Sequence, residues 1–203
     1  MEGIIAIWFH PESFEADKDK AAAGTAENVK WIARLGAYAY GNPTIADGRI
    51  FVGTNAQTLS ADPRYDYSRG GLLKCFNEAD GKLLWQLGIP ERRKLAPETH
   101  FGLQHLGICS SPTVDSDRVY IVGSGADVLC LDVECQANGN DGPFKDEGKY
   151  MAGPGKPPIE LGDKDGDIVW RYDLIDELGI YPHDAASCSI LIVGDMVYLS
   201  TSN

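Results

Sequence analysis

Apolar residues run in short blocks along most of this chain, often alternating with polar ones, and turn-forming pairs divide the blocks. The clearest case is Cys75 to Trp85. Leu72-Leu73 and Cys75-Phe76 lead out and Asn77 to Gly81 supply the turn, since Asp80-Gly81 tolerates positive φ. Lys82-Leu83-Leu84-Trp85 then runs back and ends in a large aromatic. The pattern predicts a hairpin, but a lone hairpin is marginal in water, so its recurrence matters. Asn28-Val29-Lys30-Trp31 ends in the same way, and Gly166-Asp167-Ile168-Val169-Trp170 repeats Gly81 to Trp85 almost position for position. Cys130-Leu131-Asp132 matches Cys75-Phe76-Asn77, with an insertion from about Gln136 to Asp165 opening the turn. A second hairpin element recurs between the tryptophans, at Pro43 to Thr54, Pro112 to Gly123 and Ile190 to Thr201. Repetition on this scale, with several strands per unit, predicts an all-β propeller or array.

The two elements, A/C-x-D/N-x-x-x-G-K-x-x-W and P-x-[VI]-x-x-G-x-[VI]-[YF]-[VI], resemble the repeats of pyrroloquinoline-quinone-type (PQQ-like) β-propellers. Asn140 to Glu147 and the tail Ser200 to Asn203 are similar to a bacterial subgroup described as PQQ-binding-like or BamB-like. The resemblance spans roughly Asn28 to Asn203. It implies that Trp31, Trp85 and Trp170 dock against neighbouring blades, with Gly81 and Gly166 as the motif's glycines. It also implies a periplasmic or cell-envelope location.

The remaining segments fit around the repeats. Met1 to Phe9 predicts one strand, and Glu12 to Glu27, polar and alanine-rich, a linker or short helix. The expected division is therefore 1–27 as strand and linker and 28–203 as propeller. Gly88 to Gly107 is a long connection of the kind that often carries function. Leu174 to Leu178 predicts a short helix capped by Asp173 and stopped by Gly179. The last hairpin lacks the outer strands of the earlier repeats. The expectation is about three blades of a larger, seven- or eight-bladed ring, with the chain a fragment.

Composition narrows the function. Thirty acidic against 18 basic residues give a formal charge of −12, which disfavours nucleic acid as a partner. No stretch approaches the ~20 apolar residues of a membrane span. Five cysteines occur without a C-x-x-C. Cys75 and Cys130 read as buried thiols, Cys109 and Cys188 leave a disulfide between neighbouring repeats open, and Cys135 opens the insertion as a reactive or paired thiol.

Candidate chemistry is sparse. Asp163-Lys164-Asp165-Gly166-Asp167 alternates carboxylates as calcium loops do, but lacks the glycine after the third acid and the bidentate glutamate, so an acidic turn is expected. Asn138 to Glu147 is rich in oxygen ligands and glycine and reads as an exposed loop. His183 beside Asp184 is the candidate polar pocket. Its alternative is a histidine bonded to loop backbone. No catalytic, cofactor-binding or metal-ligating residue is assigned.

The resemblance implies an adjacent cysteine pair, a stacking tryptophan, calcium and an aspartate in a quinoprotein dehydrogenase, and this chain has no Cys-Cys. The expected function is a non-catalytic binding or scaffolding platform for an unknown protein or small molecule. The alternatives are a portion of a PQQ- and calcium-dependent quinoprotein oxidoreductase, and a sensor or carbohydrate-associated module built on the insertions. Fold analogy alone does not separate them.

Overall fold

The fold is that of a computed structural model, which describes residues 4–7, 29–56, 62–65, 69–91, 106–181 and 186–201. Most of the ordered secondary structure is β, in antiparallel sheets. Strands β1 (Ile4–Ile7) and β2 (Val29–Ala33) form a two-stranded parallel pair. Four strands follow as a meander: β3 (Thr44–Ala46), β4 (Arg49–Asn55), β5 (Gly70–Asn77) and β6 (Leu83–Pro90). A second meander comprises β7 (Thr113–Asp115), β8 (Arg118–Val122), β9 (Asp127–Asp132) and β10 (Ile168–Asp173). The hairpin β11 (Leu191–Val193) and β12 (Met196–Tyr198) completes the β structure.

Both four-stranded sheets carry the same irregularity. Cys75 lies opposite Trp85 and Phe76 opposite Leu83, so Leu84 is an extra residue in β6. Cys130 lies opposite Trp170 and Leu131 opposite Ile168, so Val169 is extra in β10. A bulge one residue before the tryptophan turns the side-chain register there. The repeat seen in the sequence is thus a repeat of backbone geometry.

The period-2 alternation distributes apolar residues to two faces of each sheet. Ile50 and Val52 of β4 pack with Trp31, Ala33 and Leu35 from β2 and the residues after it. Phe51, on the opposite face, joins Trp85, Leu87, Val119, Ile121, Leu129 and Leu131 in the core between the two meanders. Val122 and Val128, with Tyr120 and Trp170, pack against Ile192, Val197 and Leu199 at the third hairpin. Each of the two meanders therefore buries alternate residues against the unit before it and the unit after it.

One feature differs from the sequence expectation. Helix is not confined to the 174–178 segment that the sequence marks, because the insertion contains helix α1 (Glu147–Ala152). The helix forms because Tyr150, Met151 and Ala152 are drawn into the core beside β6. Helix α2 (Leu174–Leu178) follows its capping signals: the Asp173 carboxylate accepts from the backbone N–H groups of Ile175 and Asp176, and Gly179 takes φ 66°.

Candidate functional site

Trp31 crosses from β2 to the first meander, where its indole N–H donates to the carbonyl of Glu78 at 2.9 Å. Its ring lies over Gly81, at which a Cβ would come within 2.4 Å of Trp31 Cδ2 while φ is +71°. Glycine is required here both for the backbone and for the ring. Gly81→Val is expected to cost at least about 1–2 kcal/mol through the left-handed conformation alone, and to displace the indole. A thermal melt followed by tryptophan fluorescence checks this, and an unchanged midpoint would refute it.

Trp85 makes the corresponding crossing one sheet later. It is 1% exposed, and its indole N–H donates to the carbonyl of Val133 at 2.9 Å. Glu78 lies three residues after Cys75, and Val133 three after Cys130, so the two acceptors occupy the same place in their repeats. Trp170 is half-buried and packs against Tyr120, with ring centroids 6.1 Å apart. Gly166, in contrast, has Leu87 of β6 as its nearest neighbour rather than a tryptophan. His183 and Asp184 lie outside the described residues.

The insertion, of which Asn138 to Glu147 reads as an exposed loop, is closely tied to both meanders. Lys164 O accepts from Gln86 N, and Gly166 N donates to Gln86 O, fastening it to β6. Asp165 is buried and accepts two bonds from the Arg64 guanidinium, both 2.9 Å, one from Tyr65 Oη at 2.6 Å and one from Gly162 N at 2.8 Å. Arg64 also binds Asp62, and these carboxylates hold its proton more firmly than usual. Tyr65 is pushed well above the ordinary phenol range, by burial first and then by its bond to Asp165. A second buried knot joins Asp127 to Arg171 Nε at 2.8 Å and Tyr150 Oη at 2.9 Å.

Closer to β10, Asp167 is wholly buried and pushed up to about 6. Burial is the main cause, opposed by donation from Asp141 N and reinforced by the charges of Glu147, Asp132 and Asp141. Among the described residues, no three cysteine, histidine or carboxylate side chains are grouped to hold a metal ion. The sequence signal for the buried acids was present in the alternating Asp163 to Asp167 pattern. It missed their burial, which follows from the tie to Gln86.

A cleft of about 610 Å³ opens beside the Trp31 crossing, lined by Lys30, Asp47, Arg49, Asn77, Glu78 and Leu84. It mixes both signs of charge, and Arg49 is also ion-paired to Glu134 just before the insertion. Nothing in the sequence repeats pointed to this cleft, because it is assembled from two turns and the end of a preceding strand.

The cysteines do not form a reactive centre. All five are free, and Cys75, Cys109, Cys130 and Cys135 are buried. Burial pushes Cys75 up to about 12 and Cys109 and Cys130 up to about 11. Cys135 is also raised by burial, and its Sγ donates to Asp163 O at 3.0 Å, so the thiolate needed for reactivity is disfavoured. Among the described residues no helix is long and apolar enough to cross a membrane. No protein-family model matches the chain, and no curated protein matches it.

Proposed function

We propose that the chain is a run of PQQ-like β-propeller blades acting as a non-catalytic binding or scaffolding platform. The observation that carries this reading is the recurrence of one tie between successive units, Trp31 to Glu78 O and Trp85 to Val133 O. A second recurrence supports it. Asn42 N donates to Ser111 Oγ and Ser111 N to Ser189 Oγ, while the hydroxyls of Thr44 and Thr113 donate to Pro112 O and Ile190 O. A head-to-tail contact repeated at the same positions generates a ring or an open array, and four antiparallel strands per unit is the content of a propeller blade.

The platform reading is favoured over a quinoprotein by what the aromatic and sulfur groups already do. Trp85 is buried with its N–H bonded, Trp31 is held on Gly81, and no two cysteines are adjacent. None of these groups fits a quinone cofactor that must be stacked and enclosed. The partner, a protein or small molecule, would meet the charged cleft or the insertion, in the periplasm or cell envelope that the family resemblance suggests.

Two measurements with the purified chain test the reading. Equilibrium dialysis with PQQ and calcium should show no retained quinone. A dye-linked assay over primary alcohols and aldoses should show no turnover. Saturable quinone binding with reproducible dye reduction would replace the platform by the oxidoreductase.

A further inference from the structure

The insertion brings Glu147 near enough to Asp167, which precedes β10, for its charge to act there, and both carboxylates are wholly buried. Asp167 is positioned by Asp141 N at 2.8 Å on Oδ2 and by Gln136 Nε2 at 3.4 Å on Oδ1. Glu147 Oε2 accepts from Asn140 Nδ2 at 2.8 Å. Its other oxygen, Oε1, is buried and has no hydrogen-bond partner. A buried carboxylate oxygen left bare is costly, and native structures rarely keep one without a proton, water or ion.

The surroundings weigh against water alone. Glu147 is the carboxylate whose charge bears most on Asp167. A water would satisfy Oε1 but would leave two like charges together in a dry site. Neither nearby cation is bonded to Glu147 or Asp167: Arg118 is paired with Asp132 at 2.6 Å, and Lys145 sits on the closing segment itself, donating to the backbone and side-chain oxygens of Asn140. The segment 138–142 is pinned over the pair, since Gly142 (φ +66°) lies so close to Val169 O that a Cβ would approach to 2.4 Å. It donates to one oxygen of each carboxylate, through Asn140 Nδ2 and Asp141 N, and its remaining side-chain groups, on Asn138, Asn140 and Asp141, carry oxygen and no sulfur or imidazole.

We propose that Glu147 and Asp167 form the charged floor of a calcium-sized cation site, closed by the Asn138–Asp141 segment. Two carboxylates rather than three are gathered, and calcium completes its six to eight ligands with neutral oxygens and water. Magnesium demands a stricter octahedron and keeps more of its water, which a dry, irregular loop site serves poorly.

The test uses the full chain, stripped with chelator and titrated with calcium chloride or magnesium chloride at neutral pH. The melting temperature should rise saturably with calcium, by several degrees once calcium exceeds its Kd about a hundredfold, and far less with magnesium. Calorimetric titration should give one site. Glu147→Gln should melt no lower than the metal-free parent, because it removes a buried like charge, and should lose the calcium response. Asp195→Asn, an exposed acid of the third hairpin, should keep it. A parent indifferent to millimolar calcium overturns the proposal, as does a Glu147→Gln protein that still responds. Should Glu147→Gln not fold, Asp167→Asn carries the same comparison.

Discussion

Replacing Trp85 with alanine is expected to lower the unfolding free energy by about 3–5 kcal/mol, the usual cost of truncating a packed aromatic. The residue is 1% exposed, and its ring packs 5.9 Å from Phe51 in the core that joins the two meanders. Its N–H is bonded to Val133 O across the junction, so truncation removes apolar contact and also leaves a carbonyl to be satisfied by water. The bulge at Leu84 aims the side chain across the junction, and no neighbour on β6 substitutes for it. Trp85→Phe separates the two contributions. It keeps most of the packing and should cost about 1–2 kcal/mol, near the worth of the lost bond. Trp170, half-buried against Tyr120, should give a smaller loss than Trp85 when truncated. Urea denaturation followed by circular dichroism measures all three. A Trp85→Ala midpoint equal to the parent's would mean that the meanders are joined by something other than this side chain.

The β content and its antiparallel order were legible because period-2 alternation and two-residue turns are local signals. Ile50 and Phe51 fall on opposite faces of β4 for the reason the alternation gives, and Asp173 and Gly179 bound their helix as read. The second copy of the tryptophan strand was also visible, and the structure sets its Trp170 opposite Cys130 as Trp85 lies opposite Cys75. What the sequence could not supply was distance between segments. Asp165 and Asp167 read as a solvated acidic turn because nothing local shows that Gln86 and Arg64 will receive that turn. Helix α1 was hidden inside a stretch dominated by Gly, Pro and Lys, where only Tyr150, Met151 and Ala152 mark an apolar face. The Lys30–Glu78 cleft escaped for the same reason, since its walls come from residues far apart in the chain. Gly166 matched Gly81 in pattern but meets Leu87, because the insertion separates it from the place a tryptophan would occupy.

The other large effect should come from Asp165→Asn. This carboxylate is 1% exposed and gathers Arg64, Tyr65 and Gly162 N around itself. Together with the bond from Arg64 to Glu160 O, it ties the short segment at 62–65 to the insertion, next to the Lys164 and Gly166 backbone bonds to β6. Removing one member of a buried charge pair typically costs about 3–5 kcal/mol, because the partner keeps its desolvation and loses its compensation. Arg64 is part-exposed and retains Asp62, so its share of the loss is softened. Tyr65 is wholly buried and loses a 2.6 Å charge-assisted acceptor, so most of the penalty should fall there. The expected loss is therefore about 3 kcal/mol, at the low end of that range. Tyr65→Phe alone should cost less, and the double variant little more than Asp165→Asn alone, because the two share one bond. Hydrogen exchange should show faster exchange at Gln86 and Gly166, whose backbone bonds fasten the insertion, while Ile121 and Leu129 in the second meander stay protected. Additive losses in the double variant, or unchanged exchange at Gln86, would show that the insertion is held to β6 independently of Asp165.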